Sequence, residues 1–142
     1  MKVQFICAAG KHNNNDIGIG HLKRCLKLAA KFKQKRYKSD FLIFGDDKRI
    51  SPLISDGVIN SLEFLDFDSF SDVQRLESLS FRKSDYTFVD ISNSLFLRHD
   101  FSFSKLLNSL KKKTKSLILI DGLGDESYLN NSKNDIQYDF LL

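Results

Sequence analysis

"KVQFICAAGKHNNNDIGIGHLKRCLKLAAKFKQKR", residues 2–36, is the stretch on which the fold turns. Residues 2–9 are almost continuously apolar and short, the pattern of a buried strand. From 21 to 36 the period changes. Leu22, Cys25, Leu26, Ala29 and Phe32 recur at three- and four-residue spacing, one face of a helix. Between the two lies a polar, Asn-rich run closed by Gly18-Ile19-Gly20, expected as an irregular connection. A buried strand feeding a helix through such a loop is the first half of a βαβ unit.

The rest of the chain repeats the theme. Strands are expected at 39–45, 58–65, 85–91 and 116–121, the last being the most strand-like segment of all. Helices are expected between Asp47 and Gly57, over 69–79 with Ser71 or Asp72 as cap, and over 103–113. The chain closes on "YDFLL" (138–142), an apolar strand pattern. Strand alternating with helix predicts an α/β fold: a Rossmann-like three-layer sandwich with a mostly parallel sheet. Residues 1–142 are expected to form one such domain, a size that buries a real core.

Composition narrows the function classes. Hydrophobic residues make 42% and charged ones 28%, the profile of an ordinary globular domain. No apolar run reaches the roughly 18 residues of a membrane span, and "MKVQFICAAG" is no signal peptide, so a cytoplasmic location is expected. Cys7 and Cys25 form no CxxC pair and have no His at metal spacing; buried reduced thiols, and no metal site, are expected. The net charge of +4 is suggestive of an anionic partner. Cations cluster from Lys23 to Lys38 and again over Lys111–Lys115, at helix C-terminal ends where they complement the macrodipole. No interleaved aromatics or known motif points to nucleic acid.

The chemistry centres on the glycine loop. Gly18 and Gly20 can take positive φ and admit a ligand close to the backbone. The helix starting near Gly20 offers unpaired N–H groups and a positive dipole end, a natural phosphate site. His21 stands in that first turn, where a neutral imidazole can accept a proton. A dinucleotide G-x-G-x-x-G fingerprint needs a third glycine at 23, where Lys23 stands. The alternative is a plain glycine-containing connection with His21 as a helix-start residue. His12, in the polar run, and His99, beside Asp100, are weaker candidates.

"IGIGHLKRCLKLA" (17–29) resembles the I-G-x-G-H-x-x-R-x-L-x-L-A signature of the UDP-sugar hydrolases of pseudaminic acid biosynthesis and their spore-coat-polysaccharide relatives. "FVDIS" (88–92), "LILIDGLGD" (117–125) and "YDFLL" resemble later segments of that family, in order. The family's tyrosine is Ser92 here, the second Asp of its I-D-D segment is Gly122, and "KHNNN" looks like an insertion.

The resemblance implies the N-terminal domain of a GT-B architecture, with the nucleotide-binding C-terminal half in another chain or lost. It implies hydrolysis of a UDP-linked diacetamido-trideoxy-altrose, with no cofactor. His21 would be the base for water attack on the anomeric carbon. Gly18, Ile19 and Gly20 would face the diphosphate and sugar, and Arg24 would steady phosphate or cover the helix. Asp90 and Asp121, at strand ends, would face the cleft or cap the following helix. The alternatives are a glycosyltransferase subunit and a non-catalytic sugar-nucleotide-binding domain.

Overall fold

The computed structural model describes residues 1–12, 15–45, 50, 52, 54, 57–65, 82–91, 103–120 and 139–142. Six parallel strands form the main sheet: β1 (Lys2–Ala8), β4 (Lys38–Phe44), β5 (Ile59–Leu65), β6 (Ser84–Asp90), β7 (Thr114–Leu119) and the two-residue β8 (Phe140–Leu141). Their order is β5-β4-β1-β6-β7-β8. Counting parallel strands alone, that is 3-2-1-4-5-6, the Rossmann arrangement. The described helices are α1 (Gly20–Gln34) and α2 (Phe103–Lys111).

The central strands are apolar on both faces, as a parallel sheet requires, whereas the edge strand β5 is partly exposed. Val3, Phe5 and Cys7 of β1 join one core with Leu22, Cys25 and Ala29 of α1, while Ile6 and Ala8, pointing the other way, are equally buried. Phe5 lies directly opposite Phe41 on β4 and Phe88 on β6. Their rings stack with centroids 4.9 and 5.1 Å apart, and Phe32 of α1 approaches Phe5 and Phe88 at 6.2 and 5.6 Å. This row of rings seats the helix on the three central strands. Leu106, Leu107 and Leu110 of α2 are also fully buried.

Two features differ from expectation. The polar run contains an antiparallel pair, β2 (Gly10–His12) with β3 (Asn15–Gly18), irregular at Gly10/Lys11, where Gly10 has φ 95°. Gly, Asn and Asp, which make up four of its seven residues, are poor strand formers, so propensity does not predict this pairing. Helix α1 ends at Gln34, although the pattern runs to Arg36. Tyr37 donates to the Phe32 carbonyl (3.1 Å) and Arg36 to that of Lys33 (2.8 Å), a Schellman stop with the Phe32 and Tyr37 rings packed behind it. Arg36 takes the left-handed position, φ 61°, that glycine usually occupies.

The closing segment does join the sheet. Asp139 accepts from the Leu117 amide (2.7 Å), its own amide donates to the Leu117 carbonyl (2.8 Å), and Lys111 of α2 forms an ion pair with its carboxylate. The expected helices at 47–57 and 69–79 fall largely or wholly outside the described residues. Among the described residues no helix is long and apolar enough to cross a membrane.

Candidate functional site

In open α/β sheets ligands bind beyond the carboxyl ends of the strands, where strand order reverses. Here that point lies between β1 and β6. Asp90 is the last residue of β6 and pairs in register with Cys7 near the end of β1. Helix α1 begins beside them, and His21 and Arg24, three residues apart, share one of its faces. The topology therefore delivers three charge-bearing side chains to one spot.

They converge closely. His21 Nδ1 lies 2.6 Å from Asp90 Oδ1. Arg24 grips the same carboxylate with two bonds, Nε to Oδ2 at 2.8 Å and Nη2 to Oδ1 at 2.7 Å. The Asp90 side chain is wholly buried, His21 is 18% exposed and Arg24 37%. Burial alone pushes the Asp90 carboxyl up, but the hydrogen bonds and charges of His21 and Arg24 outweigh it and hold it below its ordinary value of 3.8.

An ionised Asp90 settles the imidazole tautomer. A carboxylate only accepts, so the 2.6 Å contact needs the proton on Nδ1 of His21. The 2.9 Å approach of Arg24 Nη2 to Nδ1 then reflects two donors meeting at one oxygen. Nε2, which makes no hydrogen bond among the described residues, is left as the acceptor of a neutral ring. The imidazole is thus held by an orienting carboxylate, which Arg24 holds in turn, an arrangement chemically able to accept a proton at Nε2.

The glycine loop borders this group. Gly18 has φ 74°, as expected, but Gly20 does not: it is the first helical residue. A Cβ at either position would meet nothing within 4 Å. Ile19 is the N-cap, with no side-chain cap bond, and no acidic residue stands in the first turn. The amides that begin α1 are thus left without a side-chain cap beside His21.

Beneath the site, Cys7 and Cys25 are free and fully buried, the expected state. A hydrogen bond with Cys7, then burial, raises the Cys25 thiol well above its usual value, so it stays protonated. Asp121, Ser92, Gly122 and His99 lie outside the described residues, as does the side chain of His12. Sequence reasoning placed Asp90 at the cleft without pairing it to His21; strand order was the missing signal. No protein-family model, curated protein or solved structure matches this chain.

Proposed function

We propose that this chain carries the base half-site of a UDP-sugar hydrolase acting on a UDP-linked diacetamido-trideoxy-altrose. One observation carries the reading: His21 and Arg24, from the first resembling segment, meet on Asp90, from the second. The only three ionisable side chains of those two segments besides lysines and Cys25 form one hydrogen-bonded group.

In this mechanism Nε2 of His21 takes a proton from water as its oxygen bonds to the anomeric carbon. The bond from that carbon to the diphosphate breaks, and its electron pair leaves with UDP. Asp90 stabilises the imidazolium that forms, as an orienting carboxylate does elsewhere. Gly18, Ile19 and Gly20 let the diphosphate approach, and the amides and dipole at the start of α1 favour its charge. Asp121 would contact substrate. By the resemblance, a second domain supplies most nucleotide contacts and closes the cleft against water. The reaction needs no cofactor and runs in the cytoplasm.

The test is UDP release from that UDP-sugar by the chain alone and with a related C-terminal domain. Release that needs both, and is lost in His21→Ala, supports the hydrolase. Consumption only when an acceptor sugar is present indicates a transferase subunit. No turnover by well-folded protein in either mixture would sink both and leave a binding domain.

A further inference from the structure

We propose that the cationic groove where α1 ends binds a phosphate-bearing anion, at a site separate from His21 and independent of the hydrolase reading. Lys33, Arg36 and Lys38 line a groove of about 280 Å³ together with Gly57, Val58 and Asn60 at the start of β5. The groove lies at the amino end of β4, whereas His21 lies at the carboxyl end of the sheet. Lys33 lies twelve helical steps beyond His21, about 18 Å along the axis.

Charge is the first observation. Lys31, Lys33, Lys35, Arg36 and Lys38 put five cations in eight positions, more than the net +4 of the whole chain. Complementing a helix terminus accounts for only about half a charge. The carbonyls of Phe32 and Lys33 are already taken by backbone amides, so these side chains are not needed as caps. None of the five forms an ion pair among the described residues, whereas Arg24, Lys111 and Lys115 each have an aspartate. Asp40, the carboxylate nearest along β4, is held by Asn60 (2.8 Å) and Ser61 (2.6 Å).

The backbone is the second. Arg36 occupies a left-handed position where glycine is the unstrained choice, so the chain keeps a guanidinium at the groove against local preference. Across from it Gly57 has φ 92°, and a Cβ there would lie 2.9 Å from Lys33 Nζ, so any side chain at 57 would displace that amine. The β4–β5 register shifts at Ser39/Asp40, leaving Asn60 as the extra residue of a bulge at the groove wall. A groove of this volume has room for a phosphate or diphosphate group.

The full chain, labelled with nitrogen-15, is titrated with inorganic pyrophosphate at low salt. A parallel arm measures cosedimentation with phosphatidylcholine vesicles containing phosphatidylglycerol. Expected are saturable amide shifts at residues 33–38 and 57–60 that persist in His21→Ala. Arg36→Gly relieves the backbone while removing the charge, so it should stay folded and bind at least about fivefold more weakly; Lys33→Gln should weaken binding likewise. Binding of pyrophosphate assigns the site to soluble phosphates. Cosedimentation lost in Arg36→Gly, with pyrophosphate inert, assigns it to headgroups. No groove shifts and no cosedimentation, unchanged affinity in both variants, or binding only to nucleic acid would each overturn the proposal.

Discussion

Asp90 stands 69 residues from His21 in sequence, yet its Oδ1 lies 2.6 Å from the imidazole Nδ1, deep enough that the carboxylate meets no solvent. Such a contact is strong only while both groups keep their proton states. The hydrogen bonds of His21 and Arg24 together secure one side of that condition by holding the carboxylate ionised against its burial.

Asp90→Asn tests the arrangement directly. It removes a buried acceptor from two donors, and breaking a fully buried pair costs about 3–5 kcal/mol. Arg24 is 37% exposed and regains water, so the expected loss is nearer 2 kcal/mol, read from urea unfolding. If UDP release is observed, it should fall by about two to four orders of magnitude, because an amide no longer selects the Nδ1–H tautomer. Full activity in Asp90→Asn would remove the orienting role.

Acid should separate this pair from the rest of the molecule. A carboxyl held below its unfolded value of 3.8 stabilises the fold at higher pH. The gain is complete above that value and is lost as pH falls through the lower folded value. Wild-type stability should therefore drop steeply below about pH 4. Asp85 and Asp139 are lowered too, Asp85 by Lys115 and Asp139 by Lys111, so a shallower slope should remain in Asp90→Asn. Identical slopes in the two proteins would contradict the assignment.

Arg36→Gly should stabilise the chain. A non-glycine residue in the left-handed region costs about 1–2 kcal/mol, and glycine's extra freedom when unfolded returns part of that. A net gain of about 0.5–1 kcal/mol, some 2–4 °C in Tm, is expected by thermal unfolding. A lower Tm would mean that the Arg36 side chain contributes packing that outweighs its backbone strain.

What the sequence revealed, and what it hid, follows from the range of the forces involved. Strand and helix periods are local, so β1, β4, β6 and β7 were legible to within two residues, as was the start of α1. The end of α1 fell two residues short of the pattern, because Lys35 and Arg36 carry no stop signal and the Schellman bonds reach forward to Tyr37. The β2–β3 pair was hidden because Gly10, Asn15, Asp16 and Gly18 are poor strand formers and show no alternating pattern. Among the site residues, the glycine loop and His21 could be read from adjacency. The His21–Asp90 contact required knowing that β6 lies beside β1, which no local spacing encodes.

Three glycines offer a last test, since they differ in what an added side chain would meet. A Cβ on Gly45, φ 143°, would lie 1.8 Å from the Ala9 carbonyl oxygen, where the chains leaving β4 and β1 touch. Gly45→Ala should fail to fold or lose more than about 3 kcal/mol, through backbone displacement and strain. Gly18→Ala has free space and should lose only the cost of its φ of 74°, about 1 kcal/mol. Gly20→Ala has neither obstacle and gains helix propensity, so the free chain should be unchanged or up to about 1 kcal/mol more stable. Yet if a sugar diphosphate lies against the start of α1, the added methyl stands where the ligand must come. Gly20→Ala should then reduce UDP release at least about tenfold with stability intact, a split no purely structural role produces. Undiminished turnover in Gly20→Ala would move the diphosphate away from this loop.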